Sequence, residues 1–356
     1  QSQIDSRNEG MQLGREFREA YSSGQVTPSG TGQLLAWGLL SRRASPYPHE
    51  TAALHLFTSE AMLEVMDAVA DGTAAKWSDA KWASLASKAV RNIPANAKSV
   101  SDNVNAVFKT MLPKLSQFKP GTDGTYLQYA HEIFSDSSIN GRELRRRMYA
   151  EMPKGIGIGN KVISFLALVT GRTDVLVMDR VQISNMFGSD RTQGINVYDG
   201  QKGQGNGLSD IFQEDRSLAL YEALESDVAS SLRGKYEQAG LDADNVSVGM
   251  YHWDTWNSAS GQSANHGSLN YILRNSTSGE VDFNNSAQSM GASETRYGAT
   301  SYGMTFVPVA MRQYTGGPTS SRLMYELDGN FYEFTEETWA QISGKRSKLL
   351  LPSSEL

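Results

Sequence analysis

A chain of 356 residues with 39% apolar and 20% charged residues is long enough for two domains and has a composition typical of a soluble globular protein. It has no cysteine, which excludes disulfides, zinc–thiolate sites and iron–sulfur clusters, and its net charge of −6 argues against a protein that coats nucleic acid indiscriminately. No run approaches the ~20 apolar residues that span a bilayer, and the polar first residues do not resemble a signal peptide, so a cytoplasmic location is expected by default.

The first half of the chain predicts a series of helices joined by short loops, which suits a bundle around a common core. Apolar residues recur there at helical spacing, and prolines separate several of the segments. The helix before Pro113 is expected to end at residue 112, because proline cannot continue a helix. The predicted helices cover residues 11–21, 32–40, 49–69, 77–90, 99–112, 126–134 and 141–152.

A glycine-rich turn follows the last of these helices. Its sequence, KGIGIGNK over 154–161, leads into an apolar helix over 162–169 that Asn160 is expected to cap and Gly171 to end. Glycines let a backbone approach another molecule closely, and the start of a helix presents free N–H groups. The pattern predicts two helices joined by a tight hairpin that cradles phosphate, with an ordinary helical turn as the alternative.

The residues around this turn carry a local excess of positive charge. Between Gly141 and Arg180 there are eight basic and four acidic residues, although the whole chain is acidic. Such a basic island beside a phosphate-binding turn indicates a local nucleic-acid footprint, and a solvated helix face is the alternative. The basic residues are Arg142, Arg145, Arg146, Arg147, Lys154, Lys161, Arg172 and Arg180.

The second half of the chain is less regular. A polar, glycine-rich segment over 187–210 predicts a long flexible loop, and a strong helical pattern returns over 211–233 with a short continuation to 239. An aromatic group follows, and it is interpreted either as core packing or as part of a pocket for a base. The group consists of His252, Trp253 and Trp256.

The remaining residues form a Ser-, Asn-, Gly- and Thr-rich appendage from 274 onward. Within it, alternating apolar residues over 323–334 surround Asp328-Gly329 and predict a β-hairpin, and 335–348 predicts a last helix. The five histidines are scattered without the spacing of metal ligands, so neither a metal nor a cofactor is expected.

The hairpin region resembles the helix-hairpin-helix DNA glycosylases, the superfamily of endonuclease III and 8-oxoguanine DNA glycosylase. In that family a Gly-x-Gly-x-Lys hairpin leads into a buried helix, and an aspartate ends the apolar run that follows. Here Gly157, Gly159 and Lys161 match the hairpin, and Asp179 follows the lysine after 18 positions. The match covers residues 140–187.

Two positions depart from the family pattern. Ile156 stands where the family has a proline, and the nearest proline here is Pro153. Arg180-Val-Gln182 follows the aspartate, where many members have a Thr-His or Val-His pair.

The resemblance implies a mostly α, two-lobed helix-hairpin-helix glycosylase-like fold with a C-terminal β or irregular appendage. One lobe would be a helical bundle over 33–168 that ends in the hairpin. The second lobe would combine 1–32 with 169–273 and carry the catalytic aspartate. Residues 274–356 would form the appendage, which the family generally lacks.

The resemblance also implies the chemistry. Breaking the bond between base and sugar develops positive charge on the sugar, which the Asp179 carboxylate would stabilise. Lys161 would attack the anomeric carbon and form a Schiff base. The alternatives are a phosphate contact for Lys161 and a helix N-cap for Asp179. The residues expected to bind the DNA backbone are Gly157, Gly159, Lys154 and Arg180.

The function implied by the resemblance is a DNA glycosylase with AP-lyase capacity. It would act as a monomer on double-stranded DNA, flip out a damaged or modified base and excise it. Because the loop over 188–207 and the appendage are long enough to reshape a pocket, the specific expectation is an antiviral enzyme that removes bulky hypermodified bases from phage DNA. The alternatives are a phage-type transferase that modifies DNA bases on the same fold, and a non-catalytic DNA-binding module.

Overall fold

The computed structural model describes residues 2–42, 53, 56, 60–90, 98–178, 218–238, 247–249, 251–253, 269, 272–273, 310–315, 321–327 and 330–333. These residues are mostly helical, which confirms the predicted mostly α class. The helices are α1 (Ser2–Ser22), α2 (Pro28–Leu40), α3 (Glu60–Ala70), α4 (Asp79–Val90), α5 (Lys98–Ala106), α6 (Leu112–Leu115), α7 (Tyr126–Ser135), α8 (Gly141–Glu151), α9 (Asn160–Val169) and α10 (Leu218–Gln238), with a 3₁₀ turn at Thr73–Lys76 and a π turn at Val107–Met111.

Three strands near the end of the chain form an antiparallel sheet in the order β1-β2-β3. They are β1 (Ala310–Thr315), β2 (Ser321–Leu327) and β3 (Asn330–Glu333). Leu327 pairs with Asn330, so β2 and β3 lie on either side of the Asp328-Gly329 dipeptide of the predicted hairpin. The predicted loop over 187–210 and the predicted helix over 335–348 lie outside the described residues.

The chain divides into two compact units. The first, which we call the hairpin unit, combines Asn8–Arg172 with Gln262–Thr295. The second, the α10 unit, combines Gln1–Arg7, Thr173–Gly261 and Arg296–Leu356. The predicted lobes placed residues 1–32 with the second lobe. In the structure α1 belongs to the hairpin unit from residue 8 onward, because its side chains and backbone contact α2 and the end of α9.

The centre of the hairpin unit is α2. Its first turn is capped by the Thr27 hydroxyl, which accepts the N–H of Gly30 at 3.2 Å, and every residue from Thr31 to Leu40 is buried. A side chain at Gly38 would lie within 2.9 Å of Val162, so this glycine lets α9 approach closely. The apolar α9 is therefore packed against a helix that is buried over ten consecutive residues.

The helix predicted to end before Pro113 instead continues through it. Helix α5 passes into the π turn, where the N–H of Leu112 bonds the carbonyl of Val107, and then into α6. A π turn shifts the hydrogen-bond spacing locally, so the ladder can continue beside a proline that donates no N–H. The prediction of a helix end at residue 112 was wrong for this reason.

A buried polar chain joins α1, α2 and α7. The Tyr21 hydroxyl lies 3.0 Å from Thr31 Oγ1, which lies 2.9 Å from Nδ1 of His131. The Tyr21 ring also stacks on Phe134. Burial raises the pKa of Tyr21 and lowers the pKa of His131, so both groups are held neutral near pH 7.

The lowered pKa of His131 predicts that the protein loses stability in acid. The folded-state pKa lies below the ordinary value of about 6.5, so this stability is present above pH ~6.5 and is lost as pH falls through the folded pKa. We expect the melting temperature to fall with pH in this window, and less steeply for His131→Gln. Equal pH slopes for the two proteins in thermal unfolding would contradict the assignment.

Candidate nucleic-acid-binding hairpin

The hairpin joins α8 to α9 through residues 152–159. Gly155 and Gly157 have φ angles of +73° and +93°, in the left-handed region that favours glycine. A side chain at Gly157 would lie 2.9 Å from Leu39 of α2, and Ile156 is buried between the two glycines. The turn is thus held tightly against the core. Gly159 has an extended conformation that any residue adopts.

Helix α9 begins at Asn160, whereas a capping role would require Asn160 to lie one residue before the helix. Gly159 is the N-cap, and its carbonyl accepts the first helical bond, from Ile163 at 3.0 Å. Asn160 is the first helical residue, and its fully buried amide makes no hydrogen bond to the described part of the chain. The predicted capping by Asn160 is wrong. No described side chain caps α9. A helix N-terminus without a side-chain cap is suited to binding an anion.

The turn brings four of the six predicted site residues together. Gly157 and Gly159 form its backbone, and Lys161 is the second residue of α9, partly exposed. Lys154 is exposed, and its Nζ lies 4.6 Å from the centre of the Tyr149 ring in the last turn of α8. The remaining two predicted residues, Asp179 and Arg180, lie outside the described residues.

Two cationic residues reach the turn from distant parts of the sequence. Nη1 of Arg42, just after α2, donates to the carbonyl of Gly157 at 2.7 Å. Nζ of Lys114, on α6, donates to the carbonyl of Lys154 at 2.6 Å. The sequence analysis missed both, because they lie 115 and 40 positions from the carbonyls they bind and no local pattern connects them.

The predicted basic island is not a uniform surface. Arg145 is fully buried and donates to the Ser164 hydroxyl at 3.0 Å, so it joins α8 to α9. Arg172 is also buried and binds backbone carbonyls at the end of α7. Arg147 lies 3.6 Å from Asp136 and is partly neutralised. The footprint prediction was therefore wrong for Arg145 and Arg172, which hold helices together.

In the α10 unit, the apolar run before Asp179 is buried and held by side chains. The N–H of Leu176 donates to the Glu225 carboxylate at 2.9 Å, and the N–H of Met178 donates to the Tyr221 hydroxyl at 2.8 Å. Both partners lie on α10. The segment that the sequence assigned to holding Asp179 is thus fixed up to the residue before it.

Two of the three residues of the predicted aromatic group lie within the described residues. His252 and Trp253 are both buried, with ring centroids 5.7 Å apart, and burial raises the pKa of the neighbouring Tyr251. For these two residues the core-packing interpretation is the better one. Trp256 lies outside the described residues.

Comparison of the chain with protein-family models, with curated proteins and with solved structures found no match in any of the three. No helix within the described ranges is both long and apolar enough to cross a membrane. Across the same ranges, His, Asp and Glu side chains do not gather in a group of three that would suit a metal ion. The function is therefore argued from the hairpin itself.

Proposed function

We propose that this protein is a DNA glycosylase with AP-lyase capacity that removes a modified base from double-stranded DNA. The observation that carries the proposal is the tight glycine turn between α8 and α9, with Lys161 in the first turn of an uncapped, buried helix. Two further features support it. Asp179 follows Lys161 after 18 positions, and the run that leads to it is held by α10.

In the proposed reaction the neutral amine of Lys161 attacks the anomeric carbon, and the base leaves with the electrons of the glycosidic bond. The attacking nitrogen gives one proton to the departing base. The sugar ring then opens, its oxygen takes a proton from solvent, and the nitrogen and the anomeric carbon are left as a protonated imine. The Asp179 carboxylate stabilises the positive charge that develops on the sugar as the bond to the base breaks. The hairpin amides and Lys154 hold the DNA backbone.

The test is borohydride trapping on duplexes that carry an abasic site, ordinary oxidised or deaminated bases, or bulky modified bases. Borohydride reduces the imine to a stable amine, so we expect a covalent protein–DNA adduct with the wild type. Lys161→Gln should abolish the adduct. Lys88→Gln, which removes an exposed lysine of α4 outside the hairpin, should retain it.

The other outcomes select other functions. Alkali-labile sites without an adduct would indicate a glycosylase without lyase activity that depends on Asp179. Product DNA that keeps its base and gains mass would indicate a base-modifying transferase. Binding without any change in the DNA would indicate a non-catalytic module. Equal activity on ordinary and bulky bases would contradict the specific role in removing hypermodified phage bases.

A further inference from the structure

Arg42 and Lys114 place positive charge at two separate carbonyls of the hairpin. Arg42 binds the carbonyl of Gly157 and Lys114 binds that of Lys154. Both contacts are specified by the fold. The Asn103 amide donates to the carbonyls of Leu40 and Arg42, which fixes the end of α2, and Lys114 lies one turn beyond the π turn.

A carbonyl oxygen needs only one donor, and a neutral amide side chain can supply it. Because the donors are cations instead, Arg42 and Lys114 add their charges to those of Lys154 and Lys161 at the hairpin. The segment from 152 to 161 has no acidic residue. Like charges that share a turn repel each other. An anion bound at the turn would stabilise this group of four cationic side chains.

The distribution of these cations indicates the kind of anion. They bind carbonyls three residues apart in the turn and come from two distant parts of the sequence, so they place charge at two points along the turn. One phosphate would contact the start of α9 alone. A ligand with successive phosphates along a strand uses cations on either side of it.

We propose that Arg42 and Lys114 bind the DNA backbone together with the hairpin, and so extend its contact to neighbouring phosphates of one strand. This inference rests on the proposed DNA substrate and adds two binding residues, one just after α2 and one on α6. Both act on the phosphates and not on the bases, so they contribute affinity without sequence preference.

The test is the salt dependence of binding to an undamaged duplex, measured by fluorescence anisotropy between about 50 and 200 mM salt. Arg42→Gln and Lys114→Gln keep a hydrogen-bond donor for the carbonyl and remove the charge. For each variant we expect weaker binding, and a slope of log K against log salt that is smaller by about one. Lys114→Arg should restore the wild-type slope. Lys88→Gln, at an exposed position of α4, should leave both quantities unchanged.

Weaker binding with the wild-type slope would overturn the inference, because it would mean that the two residues only support the turn. Unchanged binding in properly folded variants would also overturn it. The proposed function has a separate outcome. If the wild type fails in the trapping experiment but binds duplex DNA with the predicted change in slope, the inference stands and the glycosylase assignment fails. If the wild type does not bind duplex DNA, both fail.

Discussion

Replacing Asp179 by asparagine is expected to lower the single-turnover rate of base excision by about 100- to 1,000-fold. Asparagine keeps the shape of the side chain and removes its charge. A carboxylate about 4 Å from a developing positive charge contributes ~4 kcal/mol at an effective dielectric constant of 20, which corresponds to about three powers of ten in rate. The affinity for DNA should change little, since the carboxylate acts on a charge that is absent from the bound substrate.

The matched control is Asp174→Asn, five positions earlier in the same segment and partly exposed in the structure. It makes the same chemical change, and we expect it to leave the excision rate within about twofold of the wild type. The measurement is a single-turnover time course with excess enzyme on the best-trapped duplex. A wild-type rate for Asp179→Asn would remove the aspartate from the proposed mechanism.

The features that the sequence predicted well are local. The glycine turn, the helix end at Gly171 and the apolar character of α9 are all encoded within about twenty consecutive positions, because each depends on backbone preferences of nearby residues. The resemblance at 157–179 rests on the same short stretch. It could be stated from one sequence for that reason.

The features that the sequence did not predict depend on residues that meet only in the folded chain. Arg42 and Lys114 reach the turn through α2 and α6, and neither lies near it in sequence. Arg145 and Arg172 have the residue type of a charged surface, yet the carbonyls and hydroxyl that bind them are buried beside them. Charge counted along a window therefore overestimated the basic surface.

Replacing Arg172 by methionine is expected to cause the largest loss of stability among the substitutions considered. Its buried guanidinium donates to the carbonyls of Phe134 and Asp136, each at 3.0 Å, and to that of Ile139 at 3.3 Å. Methionine fills much of the volume but leaves these carbonyls without their donor. A buried orphan group costs about 1–3 kcal/mol, and because two of these three hydrogen bonds are part-buried we expect a total at the lower end, about 3 kcal/mol.

For a unit of this size that loss corresponds to a decrease in melting temperature of roughly 6–12 °C. The matched control is Arg146→Met, at an exposed position of α8 where the nearest described carboxylate, that of Glu143, is 4.0 Å away. It should change the melting temperature very little, because exposed ion pairs contribute little. Similar melting curves for the two variants would contradict the structural role of Arg172 and would favour its assignment to the basic surface.

The spacing of the two acceptors on α10 matches the spacing of the two amides that donate to them. Tyr221 and Glu225 are one helical turn apart, and four residues of an α-helix advance ~6.0 Å. Their partners, Met178 and Leu176, are two residues apart, and two residues advance up to ~6.6 Å where a chain is extended. The helix can therefore bind alternate amides of the segment without distorting either element.

Because the amides of Leu176 and Met178 both face α10, these bonds also determine the rotation of the segment about its own axis. A slip of one residue would present the N–H of Val177 to α10 and turn every side chain of the segment to the opposite side. Such a slip would break both bonds at once. The orientation of the segment up to Met178 is thus set by side chains 43 and 49 positions away from the amides they bind.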